Sequence, residues 1–288
     1  MITLAQGLLA CPVCLRRGQA GPAGGPGRGT PVAQPLEIGP AQATCANGHA
    51  FDIARQGYLN LLGGAQPCHA DTAAMVAARN RVHQAGLFAL VAESLRDLTH
   101  SNPAQAGGTV MEVGAGPAYY LASLVESTQA TGLALDISTA AARAAAQASR
   151  RIAAVVADVW QPLPLLDGVI DLILCVFAPR NLPEFARVLH PAGQVVVVTP
   201  NSGHLARLRQ QYGLIGIGQA KTTDLQRGPF RLIAAQQLCY PVELPAPLAT
   251  DVIGMGPNAF HHPPPVTEGL TDHVDLTIHM LDLPEGTS

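Results

Sequence analysis

Lysine is nearly absent from this sequence: Lys221 is the only one among 17 basic residues, and the rest are arginine. Together with 29 glycines, 24 prolines and abundant alanine, this reads as the codon bias of a GC-rich genome. Arginine is therefore not by itself a sign of nucleic-acid recognition. Charge is also scarce, at 13% of residues and a net −3, so no strong electrostatic footprint for nucleic acid is present. Aromatics make up 4%, which leaves Ala, Val, Leu and Ile to build the core. No apolar run reaches the length of a membrane-spanning helix. Leu8-Leu9-Ala10-Cys11 has the look of a lipoprotein cleavage box, but no basic residue precedes it and the stretch is too short for a signal peptide. The chain is read as cytoplasmic, and its six cysteines are then not expected to form a disulfide framework.

What is present is apolar. Hydrophobic residues reach 48%, which excludes a disordered chain, and 288 residues allow one large domain or a domain with a small module. The little charge there is lies unevenly, net +2 over residues 1–100 and net −5 over the remainder. Any phosphate attraction is expected from the N-terminal part, through Arg16, Arg17, Arg28, Arg55, Arg79 and Arg81.

The chain divides into three regions. Residues 1–63 are turn-rich, with a Gly/Pro-rich stretch from Gly18 to Pro40. Residues 64–108 are a helical connection, with apolar periodicity over 71–98 and Asp71 as its cap. From Thr109 strands and helices alternate to the end of the chain. Strands are expected at 109–113, 131–135, 153–157, 169–177 and 194–199, and helices at 118–127, 138–151 and 182–189. Two further extended stretches lie near 232–244 and 275–281. Near-continuous apolar strands alternating with helices predict a parallel sheet covered on both faces, an α/β, Rossmann-like fold.

Two constellations carry chemistry. Cys11-Pro12-Val13-Cys14 and Cys45-Ala46-Asn47-Gly48-His49 together offer three thiolates and an imidazole. That set closes a tetrahedral zinc shell with no open position, so the expected role is structural. Residues 1–63 hold too little apolar surface to fold alone, and zinc would supply the difference. Of the other cysteines, Cys68 stands alone, and Cys175 and Cys239 are read as small core hydrophobes.

The second constellation is Glu112-Val113-Gly114-Ala115-Gly116, between a strand and a helix. Its glycines let backbone approach a ligand, and the helix N-terminus favours a carboxylate or phosphate. The third glycine of a dinucleotide fingerprint is missing, since Tyr119 stands in its place. Asp136 and Asp158 end the next two strands, where one acid can take ribose hydroxyls and the other an adenine amino group. This combination fits S-adenosylmethionine better than NAD. His204 after the fifth strand is a further candidate. The loop Phe177-Ala178-Pro179-Arg180-Asn181 after the fourth would face the ligand crevice.

Taken together, these residues resemble the bacterial 23S rRNA (guanine-N1)-methyltransferases, including their macrolide-resistance branch. The resemblance runs through Cys-Pro-x-Cys, the stretch from Cys45 and His49 to Leu62, and Asp71-Thr72-x2-Met75-Val76-Ala77-Ala78-Arg79. It continues through Ala157-Asp158-Val159-Trp160, Val176 to Asn181, and Met255-Gly256-Pro257. It implies a zinc module that recognises rRNA, a class I S-adenosylmethionine-dependent methyltransferase domain over 109–288, and a homodimer whose cleft holds a 23S rRNA hairpin. It also implies cofactor contacts at Phe88, Gly116, Pro117, Val159 and His204. Phe88 stands where family members often have Tyr, and Phe260 and His261 where they carry Trp.

Guanine N1 carries a proton, so a base or a group that stabilises charge on O6 must act. Arg180 could serve O6 and Asn181 the base edge, and the proton acceptor stays unassigned. Two other readings stand at this point: a small-molecule, antibiotic-tailoring methyltransferase with a zinc module that only packs, and a non-catalytic zinc and RNA-binding protein. On the sequence alone, deleting residues 1–63 is expected to abolish rRNA methylation and spare cofactor binding.

Overall fold

A computed structural model describes residues 1–19, 33–64, 67, 69–100, 102–217, 225, 228–261 and 264–284. Arg28, Cys68 and much of the Gly/Pro-rich stretch lie outside the described residues, as does the side chain of Arg17.

The N-terminal region opens with a 3-10 turn, Ile2–Ala5, and helix α1, Pro12–Gln19. Three short antiparallel strands come next: β1 (Glu37–Ile38), β2 (Gln42–Thr44) and β3 (Ala50–Asp52). Strand β4 (Tyr58–Asn60) leaves this small sheet and runs parallel to β7 (Ile152–Val156), pairing Leu59 with Val155. By number β4 belongs to the N-terminal region, and by pairing it belongs to the main sheet. The reason lies in β7, whose five residues are all buried. Such a strand cannot stand as a bare edge without exposing apolar side chains and unpaired backbone.

Among the described residues the main sheet has eight strands. The others are β5 (Thr109–Val113), β6 (Thr131–Asp136), β8 (Ile170–Val176), β9 (Leu189–Pro200), β10 (Arg231–Leu244) and β11 (Leu270–Asp282). Their order is β10-β11-β9-β8-β5-β6-β7-β4. The six from β9 to β4 are parallel, and β11 is antiparallel to both β9 and β10. Successive strands run outward from β5 in one direction through β6 and β7, then in the other through β8 and β9. The order therefore reverses between β5 and β8, where open α/β sheets place ligands beyond the strand ends.

Residues 71–98, expected to be helical, form two helices: α2 (Ala73–Gln84) and α3 (Ala89–Leu98). Gly86, at φ +77°, makes the break. The cap is Thr72 rather than Asp71, its hydroxyl accepting from the Met75 N–H at 3.3 Å. Asp71 is not available because its carboxylate pairs with Arg79 at 2.6 Å. The remaining helices are α4 (Tyr119–Glu126), α5 (Thr139–Ala148), α6 (Leu182–Val188), α7 (Ala206–Tyr212) and α8 (Ala246–Gly254). Ser138 caps α5 as its spacing predicts, its Oγ accepting from the Ala141 N–H.

The sheet divides the core in two. On one face Val110 and Ala134 pack with Leu121, Val91 and Val252 beneath the helices. On the other, Met111, Val113, Leu133 and Leu135 pack with Ile2, Leu9, Leu36, Leu59 and Leu61 from the N-terminal region. Packing is continuous between residues 1–63 and the main sheet. Cys175 is buried as expected, but Cys239 is exposed because it lies on β10, the outermost strand. Among the described residues no helix is long and apolar enough to cross a membrane.

Candidate functional site

The metal ligands are assembled by two turns. Cys11 precedes α1, and Cys14 falls in its first helical turn. The second pair comes from the hairpin between β2 and β3, whose turn ends in Asn47-Gly48. Gly48 takes φ +81°, and the Cys45 N–H donates to the His49 carbonyl at 3.0 Å, folding His49 back beside Cys45. The result brings His49 Nδ1 within 3.4 Å of Cys11 Sγ, 3.5 Å of Cys14 Sγ and 3.3 Å of Cys45 Sγ. Cys14 and Cys45 sulfurs stand 4.0 Å apart, and all four ligand atoms lie within 4.8 Å of one another. A tetrahedral ion with Zn–S near 2.3 Å and Zn–N near 2.0 Å has edges of about 3.5 to 3.8 Å, so the quartet fits zinc.

The protonation of these thiols is set by their surroundings. Burial pushes Cys11 up to about 11. Burial also acts to raise Cys45, but backbone N–H groups of His49 and Asn47 outweigh it and bring the thiol to about 7. Asn47 donates its amide to Cys14 Sγ at 3.3 Å, a contact that steadies a ligating thiolate.

The second site is a cavity of about 450 Å³ at the reversal between β5 and β8. Glu112 and Gly114 from β5 and its loop, Asp136 from β6, Phe88 before α3 and His204 after β9 all line it. Gly114 must be glycine, since its φ is +62° and a Cβ there would stand 2.6 Å from the Ala178 methyl. Among the described residues, three that are not glycine also take positive φ: Ala118, Phe177 and Leu205. Each lies just beyond β5, β8 or β9, so backbone strain concentrates at the cavity.

Asp136 is held by two backbone donors, Gly116 N–H to Oδ2 and Ser138 N–H to Oδ1, both at 2.8 Å. Each oxygen keeps a lone pair for a ligand hydroxyl. Burial raises the Asp136 carboxyl above the usual range, although both amides oppose that shift. Glu112 is more deeply buried and goes up to about 8, so it carries a proton near neutrality, and its carboxyl accepts from the Leu121 N–H. Aromatic rings form the rest of the wall. Phe177 lies 6.0 Å from His204 at 24°, and Phe88 sits 5.9 Å from Phe177.

The structure does not bring every expected residue to the cavity wall. Gly116 turns inward to Asp136, and the Arg79 guanidinium lies where its Cβ would be, 2.7 Å away. Pro117, next in the chain, is not among the residues that line the cavity. Asp158 and Val159 follow β7, one strand beyond Asp136, and Asp158 Oδ1 accepts from the Trp160 N–H at 2.9 Å. Asn181, expected at a base edge, is not among the residues that line the cavity, and its side-chain amide donates to the Val159 carbonyl at 2.8 Å. Arg180 does not reach the wall either. Its charge acts on Cys175 and His279, while Cys175 donates to the Ala178 and Pro179 carbonyls.

Arg79 and Arg81, expected to attract phosphate, are engaged as well. Arg81 forms two bonds to Asp251 at 2.5 and 2.8 Å. Arg79 pairs with Asp71 and donates to the Met255 carbonyl, fastening α2 to the end of α8 beside the cavity. Arg16 and Arg55 remain exposed. Sequence reasoning missed Arg79 and His83 as wall residues, although their spacing of four on a helix puts both on one face.

The wall also contains two histidines that stay neutral. Burial, with Arg79 nearby, lowers His83 to about 3, and burial with Arg209 lowers His204 to about 4. The unfolded chain takes up protons at both positions below about 6.5, whereas the folded chain refuses them until the lower values. Stability is therefore expected to fall as pH drops from about 6.5 towards 4, by about 1.4 kcal/mol per pH unit for each histidine. Urea unfolding at pH 7 and pH 5 checks this. His83→Phe should flatten the dependence by one proton, and an unchanged slope would count against the assignment.

Known proteins agree with this geometry. A family model described as "RlmA, N-terminal" matches residues 31–66, and one described as "Methyltransferase domain" matches residues 110–193. The first match covers Cys45 and His49, while Cys11 and Cys14 join them only through the fold. A protein of Streptomyces fradiae, named 23S rRNA (guanine(748)-N(1))-methyltransferase, is 41% identical over 238 residues, covering 81% of this chain and 85% of that one. A Micromonospora griseorubida protein, whose name gives a 23S rRNA guanine-N1 activity provisionally, is 37% identical over 273 residues, 89% of this chain and 88% of its own. A Bacillus subtilis protein of similarly provisional name is 31% identical over 170 residues, 57% and 59% of the two chains. The zinc-type quartet, the cavity at the strand reversal and this identity over most of both chains agree, and the chain belongs to the 23S rRNA (guanine-N1)-methyltransferase family.

Proposed function

We propose that this protein transfers a methyl group from S-adenosylmethionine to N1 of a guanine in 23S rRNA. One observation carries the reading. A single chain, similar over most of its length to a relative of that name, puts Glu112, Gly114 and Asp136 on one cavity wall beside an exposed aromatic ring. When bound, S-adenosylmethionine supplies an electrophilic methyl group, so positioning dominates the catalysis. Asp136 is poised to accept from ribose hydroxyls through its two remaining lone pairs.

The purine side falls to Phe177 and His204. Phe177 is 41% exposed, and its left-handed backbone turns the ring out beside His204, where a base can stack. His204 Nδ1 accepts from the Asp275 N–H at 3.3 Å, which leaves the ring proton on Nε2. His204 is thus a neutral donor, suited to charge developing on guanine O6 as N1 loses its proton. The RNA part of the proposal includes a hairpin substrate, Arg16 and Arg55 as phosphate contacts, the zinc module as recognition surface, and a homodimeric assembly. The macrolide-resistance role of the family's resistance branch belongs to the same proposal.

The test is incubation of the full chain with labelled cofactor and a 23S rRNA hairpin, followed by digestion and mass spectrometry. The expected product is N1-methylguanine in the RNA. Label in small molecules and none in RNA would overturn the reading. His204→Phe, which keeps the stack on Phe177, is expected to lower kcat by about a hundredfold.

A further inference from the structure

Trp160 is the only tryptophan in the sequence, and it is 63% exposed, the most of any large apolar side chain among the described residues. A tryptophan usually buries most of its surface, so an indole left in water asks for a partner. Its backbone is firmly held. Asp158 fixes the turn twice, its Oδ1 accepting from the Trp160 N–H at 2.9 Å and its carbonyl from the Gln161 N–H at 3.1 Å. Val159 and Leu163, on either side of the turn, are buried.

The turn is fastened to both functional sites. On one side the Val159 carbonyl accepts from the Asn181 amide, in the loop that begins with the exposed ring of Phe177 at the cavity. On the other, the Ala10 N–H donates to the Pro164 carbonyl at 3.0 Å and the Leu166 N–H to the Leu8 carbonyl at 2.9 Å, just ahead of the metal ligand Cys11. A cation reaches the same edge of the sheet. Strand β4 runs parallel to β7 and pairs Asn60 with Val156, so Gly63 and Trp160 both lie beyond the same end of adjacent strands. The Arg16 guanidinium covers Gly63, 2.7 Å from where a Cβ would stand, and Arg16 is exposed. An exposed ring and an exposed guanidinium on one rim are what proteins use to hold unpaired nucleotides: a π-face for the base and a charge for the phosphate. Asp158 and Gln161, within the turn, are polar, so the ring is not part of a run of apolar residues of the kind a protein partner covers.

Resting on the methyltransferase reading, we propose that Trp160 stacks on an unpaired base of the RNA substrate, outside the cavity that takes the target guanine, and that Arg16 holds a phosphate of the same strand. The RNA then follows the carboxyl ends of the strands from the zinc module past Trp160 to Phe177. Stacking on an indole tolerates any base, so Trp160 contributes affinity and register, and the choice of guanine stays with the cavity.

With no second tryptophan in the chain, indole emission follows this contact directly. Titrating the full chain with the 23S rRNA hairpin should quench that emission. Trp160→Ala should bind the hairpin about tenfold more weakly, and Trp160→Phe should recover most of the loss, with the affinity for S-adenosylhomocysteine, the demethylated cofactor, within about twofold in both. Salt separates the two residues: Arg16→Ala should lower the slope of the salt dependence by about one, and Trp160→Ala should leave it unchanged. Unquenched emission in a hairpin complex that filter binding shows to be formed, or an unchanged hairpin affinity in Trp160→Ala, would overturn the proposal. So would an equal weakening of S-adenosylhomocysteine, which gives the ring to the cofactor, or a loss of self-association with RNA binding intact, which gives it to a second copy. A wild-type chain that neither binds nor methylates the hairpin would instead overturn the methyltransferase reading on which the proposal rests.

Discussion

A chain lacking residues 1–63 is expected to lose cofactor binding and cooperative unfolding together. Sequence alone suggested a detachable recognition module whose removal spares the cofactor, and the structure reverses that expectation. Removing β4 strips the partner from β7. It also uncovers Met111, Val113, Leu133 and Leu135 on the strands that carry Glu112 and Asp136. Leu9, Leu36 and Leu59 are completely buried against that face, and Leu61 nearly so. Burying a side chain of this size contributes about 1.5 to 3 kcal/mol, whereas a whole domain is stable by only about 5 to 15 kcal/mol. Calorimetric titration of the truncated protein with S-adenosylhomocysteine, beside its thermal unfolding, is the check. A sharp transition with intact ligand affinity would show that the sheet stands without its N-terminal cover.

Loss of zinc should act differently, and Cys14→Ser is the cleanest way to cause it. Structural zinc contributes an apparent ~10 to 16 kcal/mol in zinc-finger peptides near neutral pH. Here that energy falls on β1–β3 and α1: the three strands bury only one side chain fully, Ala43, and pack otherwise through half-buried residues such as Ile38 and Phe51. The variant is expected to lose its metal, judged by elemental analysis, and to open these elements to rapid amide exchange. Strand β4 should stay on β7, because its pairing and the burial of Leu59 do not pass through the metal. Cofactor affinity should then survive while methylation of the rRNA hairpin is lost. Retained zinc in Cys14→Ser would exclude Cys14 as a ligand. Full rRNA methylation after zinc loss would remove the module from substrate recognition.

The contrast between the two experiments shows where sequence reading stops. Strands at 109–113, 131–135 and 169–177 were legible because each is a short apolar run with a turn signal at its end, and the structure moves their limits by no more than a residue. The metal quartet was legible because its chemistry lies in two short spacings, and Gly48 and the start of α1 need only bring the halves together. Glu112, Gly114 and Asp136 could be read for the same reason: strand ends project into one crevice, so the position of a residue in its strand already says where it points.

What the tertiary structure decided concerns residues whose neighbours come from distant parts of the chain. Arg79 looked like a phosphate-binding arginine until Asp71, Gly116 and Met255 closed around it. Arg180 and Asn181 looked like base contacts, yet only the first three residues of their loop, Phe177 to Pro179, are among those that line the cavity. His83 and Tyr120 belong to no motif that pairs them, and their rings meet at 5.5 Å only because α2 and α4 come together over one cavity. Local periodicity records which face of an element is buried. It does not record which other element provides the burial, and that encounter sets whether a polar atom finds a partner inside the protein.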